Sequence, residues 1–271
     1  MITIDEVLFF DTETTGIPDR AAKWDVDFES YPHVVQLAWK LGDKEESHII
    51  RPDGWAVPDE AAAVHGITTE RAQQEGEPFV TVIDRFLAFC RRAVLLCGHN
   101  IHFDTSILKA NILRELGHEY FDAEDVDGAL YKGKRIDTMR PTMKWVDART
   151  QDGRLKFPRL EELFSRCYPG ETFPAHDALE DTRAVARCLP RLLEEGLVEL
   201  KLKEYPDEQQ PASGKTAQES EKQAETPKRG PNPGLKDENG KLYGESLKTP
   251  STEFFGKITE KIDGLMAQND F

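Results

Sequence analysis

The sequence predicts an α/β domain followed by a flexible C-terminal extension. Short apolar runs alternate with segments whose apolar residues recur at helical spacing, the signature of strands interleaved with helices. The strongest of these runs end in carboxylate or polar residues, as buried strands do where they open onto a site at their carboxyl ends. Near Lys203 the composition changes abruptly to Pro, Glu, Gln, Lys, Ser and Gly.

Val7-Leu8-Phe9-Phe10 is the first buried strand, His33 to Trp39 and Ser47 to Ile50 the next two. From Thr81 to Cys90, the spacing of Val82, Phe86, Leu87 and Cys90 predicts a helix. Ala93 to Cys97 is a second strongly buried strand. Phe103, Ile107, Leu108, Ile112 and Leu116 then mark one helix face, which Gly117 is expected to end. A late helix covers about 178–195, with Leu179, Val185, Leu189 and Leu192 or Leu193 inward, and Pro190 is expected to kink or divide it. Residues 1–200 therefore form the expected domain and 201–234 a linker too polar to offset its ordering entropy. Residues 235–271 are a tail in which Phe254, Phe255, Ile258, Ile262, Leu265 and Met266 follow helical spacing. That amphipathic segment either docks on the parent domain or binds a partner in a groove.

Composition narrows the class. No apolar run approaches the roughly 18–20 residues a membrane-spanning helix needs. No basic segment followed by an apolar stretch opens the chain, so a cytoplasmic location is expected. Cys90, Cys97, Cys167 and Cys188 form no CxxC pair and read as reduced thiols, three of them in apolar or helical surroundings. The net charge of −15, of which −13 falls in the first 200 residues, argues against binding nucleic acid through bulk charge. It leaves room for a site where metal ions offset carboxylates. One stretch reverses the sign: between Lys132 and Arg159, nine Lys and Arg face three Asp. It is either a solvated basic loop or a phosphate-contacting flank.

Three segments carry the chemistry. In Phe10-Asp11-Thr12-Glu13-Thr14, strand alternation puts Asp11 and Glu13 on one face, a few ångströms apart. Like charges so close each tend to take up a proton, and a divalent cation between them removes that cost. Carboxylate oxygens suit Mg²⁺ or Mn²⁺. In Gly98-His99-Asn100-Ile101-His102-Phe103-Asp104, a buried strand ends and Asp104 falls in the first turn of the next helix. There it either faces the same metals or complements the helix dipole. In His176-Asp177-Ala178-Leu179-Glu180-Asp181, Asp177 and Glu180 resemble a capping box. His176 then lies outside the helix, free to reach the site that Asp181 lines.

In this order, Asp-x-Glu, an Asp after a Gly-His-Asn turn, and His-x4-Asp resemble the DEDDh family of 3′–5′ exonucleases. Val64-His65-Gly66-Ile67-Thr68 looks like the family's VHGIT stretch, and Arg135-Ile136-Asp137-Thr138 like its IDT strand. The resemblance runs from about Leu8 to Leu192 and is greatest to proofreading epsilon subunits of bacterial DNA polymerase III. It implies a ribonuclease H-like fold, a mixed five-stranded sheet flanked by helices. It implies that Asp11, Glu13, Asp104 and Asp181 bind two Mg²⁺ or Mn²⁺ ions, with Asp11 bridging them, and that His176 is the general base. Thr14, Glu60, His65 and Asn100 would surround the terminal nucleotide of a single-stranded DNA 3′ end. Nucleoside 5′-monophosphates would be the products.

The loops at Pro18–Tyr31, Asp122–Asp127 and Lys132–Arg159 look longer than in the shorter relatives, and Trp24, Phe28 and Trp145 in them are either base-stacking or packing residues. Two other readings stay open: an RNA-trimming exonuclease of the same family, and a nucleic-acid-binding or recruitment module that no longer cuts. The tail is expected to contact a DNA polymerase, a sliding clamp or another replication protein.

Overall fold

A computed structural model of the chain describes residues 2–203. The linker and tail assignments, with the expected tail helix and its partners, lie outside the described residues.

Five strands form one sheet in the order β3-β2-β1-β4-β5: β1 (Val7–Thr14), β2 (Val34–Leu41), β3 (Lys44–Ile49), β4 (Leu95–Gly98) and β5 (Arg135–Asp137). β1 is central. It pairs antiparallel with β2 and parallel with β4, while β2–β3 is antiparallel and β4–β5 parallel. The sheet is therefore mixed, as expected of the ribonuclease H-like class. The helices are α1 (Asp59–His65), α2 (Thr69–Glu75), α3 (Phe79–Arg92), α4 (Ile101–Ala123), α5 (Val126–Ala129), α6 (Met143–Val146), α7 (Leu160–Cys167) and α8 (Ala178–Glu194). No helix of the described residues is long and apolar enough to cross a membrane.

Alternation along β1 sorts its side chains between two cores. Leu8 and Phe10 join Leu37, Trp39, Phe86 and Leu108 on the α3/α4 face. Val7 and Phe9 join Leu95, Cys97, Leu163 and Val185 on the α7/α8 face. A strand buried on both sides reads as an unbroken apolar run, which is why this one is visible in the sequence. The same alternation, continued two residues further, delivers Asp11 and Glu13 to the α8 face and Thr12 to the α4 face.

The structure departs from the expected elements in three places. Gly117 interrupts rather than ends its helix: at φ 81° and ψ 172° it leaves the helical region, and a second helical segment continues to Ala123. Pro190 does not divide α8, which runs through it to Glu194. Pro190 falls near the end of the helix, where a missing N–H removes one bond while Leu189 and Leu192 stay packed in the core. The capping box at α8 is half formed. Asp177 caps Leu179 and Glu180 N–H, but the Glu180 side chain turns outward to Arg183. Trp24 stacks on Phe121 with Lys109 over its ring, Phe28 meets His118 edge-on, and Trp145 lies under Arg166; all three aromatics make packing contacts. All four cysteines are free thiols, three of them buried.

Candidate active site

The carboxyl end of β1 collects the carboxylates from three separate elements. Asp11 and Glu13 come from β1, Asp104 from the first turn of α4, and Asp181 from the first turn of α8. Asp104 is 2 % exposed, and its Oδ1 accepts from both the N–H (3.1 Å) and the hydroxyl (2.7 Å) of Thr12. α8 is fixed against β2 by a reciprocal pair. Gln36, opposite Glu13 in the β1–β2 register, donates to Asp177 Oδ2 (3.2 Å) and accepts from the Ala178 N–H (3.2 Å). Asp181 Oδ2 accepts from the His176 N–H (3.2 Å), and its Oδ1 is buried with no hydrogen-bond partner among the described residues.

His176 stands outside the helix, exposed, in the left-handed region at φ 69°. One ligand atom each from Glu13, His176 and Asp181 lies within 4.8 Å of the other two. His176 Nε2 is 3.8 Å from Glu161 Oε1, at the start of α7. Asn100 is also left-handed, at φ 66°, where its N–H donates to Asp137 Oδ1 (3.0 Å). Such conformations are costly for non-glycine residues and collect at functional sites.

The electrostatics are those of a site short of positive charge. Burial, followed by the charges of Asp104, Asp181, Glu13 and Asp177, holds the Asp11 carboxyl well above the usual carboxylate range. Burial and the neighbouring carboxylates push Glu13 up to about 8. Burial is likewise the largest cause for Asp104 and Asp181, each raised to about 7. Hard oxygen donors, repelling one another and including one buried unpartnered oxygen, suit a divalent cation such as Mg²⁺ or Mn²⁺.

These shifts have a measurable consequence. An acid whose pKa is higher in the folded state binds protons that the unfolded chain releases, so its contribution is fully present below about pH 4 and is lost as pH rises towards 8. In EDTA, the melting temperature should fall between pH 5.5 and 8.5 by roughly 5–10 °C. Mg²⁺ or Mn²⁺ should recover most of that at pH 8.5 and little at pH 5.5. A melting temperature that stays flat or climbs over this range in EDTA would contradict the raised carboxylates.

The residues expected around a terminal nucleotide are placed less uniformly. His65, the last residue of α1, is buried. Its Nδ1 accepts from the Ile67 N–H (3.2 Å), and its Nε2 is buried without a hydrogen-bond partner among the described residues. The Thr14 backbone and His176 lie near enough to influence its titration, which burial lowers. The Thr14 hydroxyl donates to the Gly16 carbonyl (2.6 Å), shaping the turn after β1. Glu60 sits exposed in the first turn of α1 and makes no hydrogen bond or ion pair to the cluster among the described residues.

Three residues of this site carry no signal in the sequence alone: Thr12, Gln36 and Glu161. Thr12 should matter to cation affinity, because partners that orient a ligating carboxylate are worth about 10–100-fold in binding. Thr12→Val is expected to raise the Mg²⁺ concentration for half-maximal rate about tenfold. An unchanged requirement would reduce Thr12 to a packing residue.

The exonuclease family model, RNase_T, matches residues 8–189. No curated protein matches the sequence. Among solved structures, a product-bound exonuclease I is 19% identical with a TM-score of 0.53, over 70% of this chain and 44% of that one. Escherichia coli exonuclease I with a dA16 oligonucleotide is 22% identical with a TM-score of 0.51, over 70% and 42%. Exonuclease I of Methylocaldum szegediense is 20% identical with a TM-score of 0.52, over 70% and 40%. The match thus spans less than half the length of these exonuclease I chains, and at such identities it establishes the fold. With a family model covering the strands, the site elements and most of α8, this chain belongs to the exonuclease family.

Proposed function

We propose that the protein is a metal-dependent 3′–5′ exonuclease that hydrolyses single-stranded DNA ends to nucleoside 5′-monophosphates, with residues 1–200 as its catalytic domain. One observation carries the reading: four carboxylates from three elements gather with raised pKa values beside an exposed histidine, and one of their oxygens is buried without a hydrogen-bond partner among the described residues. Asp11, Glu13, Asp104 and Asp181 would hold two Mg²⁺ or Mn²⁺ ions. Bound there, the ions would lower the pKa of water and offset charge on the leaving 3′ oxygen. His176 takes the water's proton; its exposed position outside α8 lets the ring swing between cluster and solvent. Asp181 fixes the His176 backbone through its N–H, and Thr12 fixes Asp104. Buried His65 offers Nε2, which has no hydrogen-bond partner among the described residues, to the terminal nucleotide, with Thr14, Glu60 and Asn100 around it. Exonuclease I structures described with dA16 and dT13 oligonucleotides support a single DNA strand as substrate.

The motifs at Val64–Thr68 and Arg135–Thr138 support kinship with epsilon subunits and a part in replication proofreading or repair. The tail beyond Lys203 would then recruit a polymerase, a sliding clamp or another replication protein. The deciding assay incubates the protein with 5′-labelled single-stranded DNA and matched RNA, in Mg²⁺ or EDTA. A ladder shortening from the 3′ end only in Mg²⁺, faster on DNA, is expected. Faster shortening of RNA would replace the substrate; cleavage of neither would overturn the activity.

A further inference from the structure

Past the end of β1, on the α3/α4 side of the sheet, lies a cleft of about 390 Å³, within the range of roughly 300–1,000 Å³ usual for ligand sites. Its place follows from the register. The Thr15 N–H donates to the His33 carbonyl (2.9 Å) and the His33 N–H to the Thr15 hydroxyl (2.9 Å), so His33 lies across from the chain two residues beyond Glu13. Asn111 and Glu115 form another wall, on the face of α4 that carries Asp104 and two and three turns further along. That is about 10 and 16 Å along the helix axis. The cleft therefore adjoins the turn after β1 and starts a short way along α4 from the cluster. Its walls are fixed from within. Asn111 Oδ1 accepts from the Val34 N–H (3.2 Å), and its Nδ2 donates to the Pro32 and Ile107 carbonyls (2.9 and 2.8 Å), which ties α4 to the start of β2. Arg114 donates to His33 Nδ1, Asn111 Oδ1 and the Tyr31 carbonyl (2.7 Å each). The imidazole held in this way stacks on Trp55, with ring centroids 4.5 Å apart and planes 13° from parallel. Trp55 packs in turn against Val35, Val57 and Ile67, and Phe79 and Leu116 extend the apolar lining. The charges around the cleft are of both signs. Arg51 and Asp53 are exposed on the loop before α1, with Arg51 Nε bonded to the Gly76 carbonyl (3.0 Å), and Glu115 lies 3.4 Å from His33 Nδ1.

We propose that the cleft formed by His33 and Trp55 receives a nucleobase of the substrate strand, a few nucleotides upstream of a 3′ end held at the carboxylate cluster. The proposal rests on the exonuclease reading. Asp53 and Glu115 beside Arg51 make the cleft a poor seat for a phosphate. The same mixture suits an uncharged heterocycle that both donates and accepts hydrogen bonds. Two stacked rings, held by packing and by Arg114 before any ligand arrives, present aromatic area with little left to order. Base–aromatic contact tolerates any sequence, as a nuclease that shortens a strand base by base requires. A stacked strand advances about 3.4 Å per nucleotide, so 10–16 Å along α4 corresponds to about three to five nucleotides upstream. A released mononucleotide carries the same base; the bonds that join His33 to Thr15, next to Thr14, favour the strand as its source.

The test is binding of 5′-fluorescein-labelled dT10 to the full chain in EDTA at low salt, by anisotropy, with one abasic residue placed in turn at the second to seventh positions from the 3′ end. It needs no turnover, so it is independent of whether the protein cuts. The abasic residue should weaken binding about fivefold or more at one or two adjacent positions and less than about twofold at the others. In Trp55→Ala, intact dT10 should bind about fivefold more weakly, and the critical abasic position should no longer matter, because one contact has then lost both partners. Trp55→Phe keeps a ring and should keep most of the affinity and its position dependence. Unlabelled dT10 should quench tryptophan emission in the wild type, and the quench should be lost in Trp55→Phe and with the critical abasic strand. That readout stands even where the melting temperature shows Trp55→Ala to be misfolded. An abasic effect equal at all positions, binding without quenching of Trp55, or no binding by the wild type would overturn the base site. Quenching by dTMP alone, with no abasic position mattering, would replace the strand with a free mononucleotide. A positional effect tied to Trp55 in a protein that shortens neither DNA nor RNA in Mg²⁺ would overturn the exonuclease reading and leave the base site standing.

Discussion

Asp11→Asn should abolish nuclease activity, lowering kcat at least about a thousandfold, which corresponds to roughly 4 kcal/mol of transition-state stabilisation. Asn keeps the shape of the side chain and removes one charge from the centre of the cluster. Burial, and then the charges of Asp104, Asp181, Glu13 and Asp177, disfavour Asp11 as an anion. A carboxylate so disfavoured as an anion is one that a bound cation would stabilise. The same substitution removes repulsion that the metal-free fold must bear, so the variant should melt several degrees higher than the wild type in EDTA at pH 8 and gain less from added Mg²⁺. The two readouts move in opposite directions, which separates a lost site from a damaged fold. Activity within tenfold of wild type would remove Asp11 from the reaction. A lower melting temperature in EDTA would refute the electrostatic account of the cluster.

How much of this was legible depended on whether the signal was local. The first strand is readable because Val7–Phe10 is buried on both faces; its polar continuation through Asp11 and Glu13 carries no apolar mark, and the ladder to β2 fixes its end at Thr14. The long helices α3, α4 and α8 declare themselves through repeated apolar spacing. α1 and α2 do not: each has seven residues and only one buried side chain, His65 and Ala72. α7 carries Leu160, Leu163 and Phe164 at the right spacing, but two turns give periodicity too little length to stand out. The carboxylates could be named individually because each sits in a recognisable local frame, a strand end or a helix start. Thr12 with Asp104 and Gln36 with Asp177 could not, since 92 and 141 residues separate the partners. Glu161 joins the site only because α7 packs beside α8, a fact of tertiary structure that no window of the sequence contains.

His176→Gln should lower kcat about a hundredfold to ten-thousandfold, the range a positioned general base contributes. The geometry poses two roles for this ring, and the same variant separates them. Its nitrogen falls within ligand spacing of Glu13 and Asp181, as a metal donor would. Yet His176 is exposed, on a left-handed residue outside the helix, with Glu161 Oε1 3.8 Å from Nε2. A rigid ligand is rarely left in solvent on a strained residue, whereas a group that must collect a proton and release it to water needs that access. The proposed cation would also have four carboxylates, enough hard oxygen donors without an imidazole. The variant should therefore lose rate while its half-saturating Mg²⁺ concentration and the thermal shift produced by Mg²⁺ change by less than about twofold. A Mg²⁺ requirement raised tenfold or more, with rate recovered at high Mg²⁺, would make His176 a ligand and leave proton removal to another group, with Glu161 the first to examine.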